Sequence, residues 1–142
     1  MDTKTLSIDA NAIAIGLESL PSTAWHPSPA LVVAVVVTES GGRRTACAQD
    51  RYGGSARGLM QIRRPHSRCR ARRRDALYDP VTNVVRGVAI LSYLHDYELR
   101  VHHGAHDLLD HYAGAVWGSH TYSDRVRALA WRISHETKEG WA

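Results

Sequence analysis

The feature that most constrains the fold is an apolar run of eight residues, from Ala30 to Val37, which leads through Thr38 into Glu39. It is the longest apolar run in the chain and falls far short of the ~20 residues that a membrane span requires, so it belongs in a buried core. Its many β-branched residues favour a strand. The run has no alternation, however, and a buried helix is equally allowed at this length.

The segments around this run have helical patterns. Pro21 ends the first of them, and an Asp79 cap followed by Pro80 begins the clearest amphipathic stripe in the chain. The stretch after Gly42 is interpreted as a loop up to Ser55. The predicted helices cover residues 5–20, 80–98, 105–116 and 122–136.

Charge is distributed unevenly along the chain. The net charge is +4, but residues 43–74 hold eleven arginines against one acidic residue, Asp50, whereas the other 110 residues hold seven basic and thirteen acidic residues. This division indicates a basic surface that faces an anionic partner, either nucleic acid or a bacterial envelope polymer. The run from Arg68 to Arg74 has no interleaved aromatic residue for base stacking, and a solvated, flexible loop is the alternative interpretation.

Glu39 is the main candidate for chemistry. A carboxylate at the end of a buried helix is costly unless it is paired or used. Burial and the negative end of the helix dipole both raise the pKa of such a carboxyl group, which keeps it protonated near neutral pH and able to donate a proton. Taken alone, a glutamate in this position is more often a surface residue on the first exposed turn.

Five sequence elements occur in an order typical of one enzyme family. They are Glu39-Ser40-Gly41, Ser55-Ala56-Arg57-Gly58-Leu59-Met60-Gln61-Ile62, Asp79-Pro80 through Asn83 to Gly87, Tyr112-Ala113-Gly114, and Tyr122 with Arg125-Val126. Over roughly residues 30–130, they resemble the lytic transglycosylases of the soluble-transglycosylase and goose-type lysozyme superfamily.

The resemblance implies a mainly α, lysozyme-like single domain over residues 1–142, with about five to seven helices around a substrate cleft. A basic, arginine-rich insertion is expected around residues 63–74. The valine-rich run then becomes a buried helix that delivers Glu39 to the cleft. Residues 8–62 are accordingly predicted to form a helix–loop–helix arrangement rather than a sheet.

The activity that the resemblance implies is cleavage of the β-1,4 bond between N-acetylmuramic acid and N-acetylglucosamine in peptidoglycan. Glu39 would act first as the general acid and then as the base that closes a 1,6-anhydro ring, so that one residue replaces the usual carboxylate pair. A hydrolytic goose-type lysozyme would need a second carboxylate, for which Asp50 is the candidate. From another class, the alternative is a non-catalytic module that binds cell wall or nucleic acid through the arginine-rich segment.

The resemblance also implies a set of substrate-binding residues. The expected roles are close backbone approach at a glycine, an amide hydrogen bond to a sugar, and aromatic side chains that border the cleft. The predicted residues are Ser40, Gly58, Gln61, His111, Tyr112 and Tyr122.

Two further groups of residues are assigned no catalytic role. His102, His103, His106 and His111 could suggest a metal site, since His102 and His106 are four residues apart. Without a Glu-rich helix, a HExxH motif or an accompanying cysteine, however, they are predicted to form a solvated turn with no metal. No cofactor is expected. Cys47 and Cys69 could be joined by a disulfide in an oxidising periplasm, or could be two free thiols.

The expected partners are peptidoglycan glycan strands, with anionic envelope polymers contacting the basic segment and no specific nucleic acid. We expect a monomer without a transmembrane segment. The first residues do not have the pattern of a signal peptide. We therefore expect a protein of phage or mobile-element type that acts on the cell wall in the periplasm after delivery by a holin, a virion or a secretion system.

Overall fold

A computed structural model describes residues 3–69, 75–114 and 120–136 of the chain. The described residues form mainly helices, with one small sheet, which confirms the predicted fold class. No helix in these ranges is long and apolar enough to cross a membrane. The helices are α1 (Thr3–Glu18), α2 (Pro29–Ser40), α3 (Pro80–His102), α4 (Leu108–Tyr112) and α5 (Thr121–Glu136), with a 3-10 turn at Ala76–Tyr78.

Helix α2 is the centre of the core, as the resemblance implied. It begins with Pro29 after a Ser28 cap, whose side chain accepts a hydrogen bond from the Leu31 amide, and it ends at Gly41 in the left-handed conformation. Every residue from Ala30 to Val36 is buried. Because α2 packs against both α1 and α5, burial on all sides outweighs the strand propensity of its valines.

Helix α3 confirms the amphipathic prediction and extends it. Asp79 caps the helix by accepting a hydrogen bond from the Thr82 amide, and the buried stripe packs against α1. The helix continues four residues beyond the predicted end at residue 98, because nothing before His103 interrupts it. Helix α4 is shorter than the predicted span of residues 105–116.

The prediction of a helix–loop–helix without a sheet was wrong between residues 47 and 64. This region forms a three-stranded antiparallel sheet of β1 (Cys47–Gln49), β2 (Ser55–Arg57) and β3 (Ile62–Arg64), in the order β1-β2-β3. Each strand is only three residues long, which is too short for alternating hydrophobicity to be visible in the sequence. A disulfide between Cys47 and Cys69 ties β1 to the chain that follows β3.

The arginine-rich stretch is partly folded rather than a solvated loop. Arg57 is fully buried and donates to Asp75 Oδ2 at 2.6 Å, while Arg64 donates to both oxygens of the same carboxylate at 2.9 Å. The predicted insertion around residues 63–74 therefore begins inside strand β3, where the ion pair of Arg64 with Asp75 holds its first residues. Residues 70–74 lie outside the described part of the chain.

Candidate active site

Glu39 lies in the last turn of α2, where the buried helix reaches a cleft. Its side chain is half-buried, and the Tyr122 hydroxyl of α5 donates a hydrogen bond of 2.6 Å to its Oε1 atom. Burial raises the pKa of the Glu39 carboxyl, and the Tyr122 hydrogen bond offsets only part of this effect. The group is therefore a proton donor closer to neutral pH than an exposed glutamate would be.

The cleft has a volume of about 500 Å³. Along with Glu39, it brings together four of the residues that the sequence singled out: Asp50, Gln61, Tyr112 and Tyr122. The two tyrosines come from α4 and α5, and Asp50 and Gln61 come from the connections between the strands of the small sheet. The remaining lining residues are Ala48, Gln49, Tyr52, Ser55, Ala56, Arg63 and Ala113.

Gln61 belongs to a tight turn that α3 holds in place. Asn83, fully buried on α3, accepts a hydrogen bond from the Met60 amide and donates to the carbonyls of Arg57 and Leu77. Gln61 has a positive φ of 53°, and its side-chain amide nitrogen, Nε2, donates to the backbone carbonyls of Ala46 and Gly58. Because both amide protons are used in this way, the amide oxygen is the atom left to accept a hydrogen bond from a ligand.

Tyr112 borders the cleft from α4. Its hydroxyl donates to the Met60 carbonyl, so it fixes the same turn from the other side. Burial and the neighbouring Glu39 charge raise the pKa of the Tyr112 hydroxyl, and burial together with the Glu39 hydrogen bond does the same for Tyr122. Both tyrosines are therefore neutral hydrogen-bond donors at physiological pH.

Asp50 brings a second carboxylate to the cleft. Its Oδ1 accepts the amides of Tyr52 and Gly54 at 2.7 and 2.9 Å, and Arg63 lies 3.4 Å from its Oδ2. These backbone hydrogen bonds, Gly54 first, lower the pKa of the Asp50 carboxyl. The cleft thus contains one carboxyl group whose pKa is raised and one whose pKa is lowered.

Comparison with known proteins identifies the family. The family profile described as Transglycosylase SLT domain matches residues 19–104, which is more than half of the chain. The chain belongs to this transglycosylase SLT family. No curated protein and no solved structure matches it. Family membership supports peptidoglycan as the substrate and, in general terms, lytic-transglycosylase-type activity on it.

The match of the SLT family to residues 19–104 includes Glu39, Gly58 and Gln61. Tyr112 and Tyr122 lie beyond it, and only the folding of α4 and α5 brings them to the cleft.

Three of the predicted binding residues do not line the cleft of this SLT domain. The Ser40 hydroxyl is buried, donates to the Val36 carbonyl and accepts the Gly42 amide, so it shapes the end of α2. Gly58 is buried at the start of the turn, with a φ of 77°. His111 hydrogen-bonds Glu98 in a separate cluster.

Sequence reasoning did not assign Tyr52 to the cleft of the SLT domain. Its side chain is 72% exposed, with the Arg51 guanidinium 4.9 Å above its ring, and it lines the cleft next to Asp50. An aromatic residue directly before the Gly53-Gly54 pair was the available signal, because such a turn lifts its neighbours to the surface.

Proposed function

We propose that this protein is a lytic transglycosylase that cleaves the β-1,4 bond between N-acetylmuramic acid and N-acetylglucosamine, leaving 1,6-anhydromuramic acid ends. The observation that carries the proposal is the position of Glu39: a half-buried carboxyl with a raised pKa, in contact with the Tyr122 hydroxyl, at a cleft. A general acid needs access to the substrate, and it works better when its pKa is raised from the ordinary carboxyl value toward the working pH.

The reaction proceeds in two proton transfers through the same residue. Protonated Glu39 gives its proton to the glycosidic oxygen, the bond to the anomeric carbon of the muramic acid breaks, and the N-acetylglucosamine side leaves as an alcohol. The N-acetyl group of the muramic acid stabilises the positive charge on the anomeric carbon. Ionised Glu39 then removes the proton of the C6 hydroxyl, whose oxygen closes the anhydro ring and restores the starting carboxyl group.

Tyr122 has a defined part in this sequence. Its hydroxyl donates to Glu39, and a hydrogen bond to a carboxylate is stronger than one to a neutral carboxyl group. The bond therefore stabilises the ionised form between the two steps. We assign the substrate-positioning role to the Gln61 amide oxygen, to Tyr112 and to the exposed ring of Tyr52, all of which line the cleft.

The test is mass spectrometry of the fragments that the protein releases from purified peptidoglycan. The wild type is expected to give fragments ending in 1,6-anhydromuramic acid, each lighter by one water than the hydrolytic product. Glu39→Gln should lower the rate by at least about a hundredfold, since it removes the general acid. Glu18→Gln is the matched control, because Glu18 is exposed on α1, and it should retain full activity.

A hydrolytic, goose-type lysozyme is the second candidate, and the ionised Asp50 in the same cleft favours it. Fragments with a free reducing end would establish hydrolysis and contradict the proposal, and Asp50→Asn would then be expected to abolish the activity. The absence of any fragment from folded wild-type protein would instead identify a non-catalytic binding module.

A further inference from the structure

A second cluster of titratable side chains lies where α3 ends. Glu98 is buried, with its side chain 4% exposed, and its Oε2 atom lies 2.7 Å from His102 Nδ1 and 3.7 Å from His106 Nδ1. Its other oxygen, Oε1, lies 2.7 Å from His111 Nδ1. Three imidazoles from three successive segments thus surround one carboxylate.

The chain reversal after α3 creates this arrangement. His102 is one helical turn after Glu98, and the chain then turns at His103 and Gly104, both with positive φ. The amides of these two residues bond the Glu98 carbonyl. The reversal carries His106 back over the helix end, so the spacing Glu98-x3-His102-x3-His106 converges although the helix does not continue.

We propose that Glu98, His102 and His106 bind a divalent transition-metal ion of the zinc class. One ligand atom from each of these side chains lies within 4.8 Å of the other two. A tetrahedral ion with bonds of about 2.0–2.1 Å places its ligand atoms about 3.3 Å apart. The present separations of 2.7 and 3.7 Å lie on either side of that value, so small side-chain rotations are sufficient.

The chemistry of the donors favours this class of ion. Two imidazoles and one carboxylate are ligands that zinc takes readily, whereas magnesium and calcium prefer oxygen donors throughout. His111 occupies the place of an outer-shell partner, because it contacts the carboxylate oxygen that the ion would leave free.

An open fourth position is available to the ion. A cavity of about 380 Å³ adjoins Glu98 and His106, and it is also lined by His95, Asp107 and His120. A water molecule or a further side chain can enter from this cavity. Three protein ligands with an accessible fourth position form a complete site for such an ion.

The site would connect α3 to α4 through the intervening loop. His111 and Tyr112 are neighbours on α4, and Tyr112 lines the cleft. A bound ion would therefore fix the helix that carries one wall of the cleft. The Glu39 chemistry is not involved in this inference, so the binding can be measured without any cell-wall substrate.

The experiment is a calorimetric titration of ZnCl2 into the untagged full chain after treatment with a chelator. Visible absorption of the Co²⁺ complex reports the coordination geometry. We expect one tightly bound ion per chain and a higher unfolding midpoint in zinc. The two ligand variants His102→Ala and His106→Ala should each weaken zinc binding by more than about a hundredfold. Variant His111→Ala, which removes the outer-shell partner, should weaken it by about 10–100-fold.

His103→Asn is the matched control. It removes an exposed imidazole next to the site, while asparagine tolerates the left-handed conformation at this position, so binding should stay within about twofold of the wild type. Should His102→Ala fail to fold, His106→Ala in the loop and the isosteric Glu98→Gln carry the test. The proposal is overturned by a wild type without saturable one-to-one binding, or by a His103→Asn loss equal to that of the ligand variants.

Discussion

Glu39 and Tyr122 are 83 positions apart in the chain, and one hydrogen bond of 2.6 Å joins them. This contact sets the acidity of the candidate catalytic group, because burial raises the pKa of Glu39 while the Tyr122 hydroxyl lowers it. The balance between the two determines over which pH range the protein holds a protonated carboxyl group in its cleft.

Tyr122→Phe should raise the pKa of Glu39 further, since it removes the only one of these two effects that stabilises the carboxylate. As a general acid, Glu39 must be protonated, so kcat/KM falls as the pH rises through its pKa. The alkaline limb of the kcat/KM profile is therefore expected to move to higher pH in the variant. The maximal rate should also fall, because the ionised intermediate loses a hydrogen bond.

The pH profile of fragment release from peptidoglycan measures this shift. Tyr93→Phe makes the same change at an exposed position on α3 and should leave the profile unchanged. An alkaline limb that stays in place, or moves to lower pH, would contradict the assignment of that limb to Glu39.

At the scale of structural elements, the turn from Gly58 to Ile62 depends on the helix behind it. Asn83 makes three hydrogen bonds to the surrounding main chain, and Gly87 leaves the space that the Met60 side chain occupies. A Cβ atom on Gly58 would overlap Asn83 Nδ2 and the Leu77 carbonyl. The turn and α3 therefore form one packed unit that places Gln61 in the cleft.

Gly58→Ala should destabilise the protein considerably more than Gly53→Ala. Both glycines have left-handed φ values, 77° and 84°, which cost an alanine about 1–2 kcal/mol. Only Gly58 also lacks space, and the overlap should add about 1–3 kcal/mol to the loss of unfolding free energy. Urea denaturation of both variants isolates the packing contribution, and equal losses would show that conformation alone requires the glycine.

Asp75 is the acidic centre of the arginine-rich region, with its side chain 3% exposed between Arg57 and Arg64. Asp75→Asn should lower the free energy of unfolding by about 3–5 kcal/mol at neutral pH, because it leaves the fully buried Arg57 without its counter-charge. Asp96→Asn, at a carboxylate that is 69% exposed, should change it by less than about 0.5 kcal/mol.

The pH dependence of the Asp75 contribution has a definite sign. The hydrogen bond from Arg64 holds the pKa of the Asp75 carboxyl well below its usual range, with Arg57 contributing. The contribution of ionised Asp75 to the free energy of unfolding is therefore complete above the unfolded-state pKa of about 3.9. It is lost as the pH falls from that value toward the lower pKa of the folded state. Denaturation curves of wild type and Asp75→Asn should converge in acid. A constant difference between them down to low pH would contradict this origin of the stability.

At the scale of the whole molecule, residues 43–74 carry a charge of +10, and within the part of this stretch that the structure describes, ion pairs neutralise only some of the arginines. Arg57 and Arg64 share Asp75, and Arg63 approaches Asp50, while Arg43, Arg51 and Arg68 remain exposed. These exposed arginines form a basic surface, which we expect to steer the protein toward an anionic envelope polymer.

Salt should therefore reduce activity most where such polymers are present. Raising ionic strength from 0.01 to 0.15 M shortens the screening distance from about 30 to 8 Å. Fragment release from sacculi that retain anionic polymers should fall steeply over this range. Release from sacculi from which these polymers have been removed should fall much less. Parallel salt titrations of the two substrates make the comparison, and identical curves would remove the steering role of the basic surface.

The helices could be predicted because their signals are local. The Asp79 cap with Pro80 and the apolar stripe of α3 are readable within one segment, and so is the Pro21 stop after α1. The strands could not be predicted, because three residues are too few for a periodic signal. Each strand also depends on a partner strand elsewhere in the chain, as where Cys47 pairs with Arg57.

The candidate site shows the same division. Glu39 and Gln61 could be selected from motifs. The motifs did not show, however, that Tyr112 lines the cleft while its neighbour His111 belongs to a separate cluster. The two residues lie on different faces of α4, one toward Glu98 and the other toward Met60. The convergence of Glu98, His102 and His106 was also hidden, because it depends on a chain reversal at two residues with positive φ.

Local patterns in the sequence are sufficient to predict that the valine-rich run is buried, that a carboxylate follows it, and that the chain is mainly helical, since hydrophobicity, caps and stops act over a few neighbouring residues. The periodicity of the run left strand and helix open, and only the family resemblance favoured the helix. That this helix has core on every side, and that Tyr122 contacts Glu39, depends on the tertiary structure. The tertiary structure also decided that Arg57 is buried against Asp75. These features depend on burial and on contacts between distant segments, and neither exists until the chain has folded.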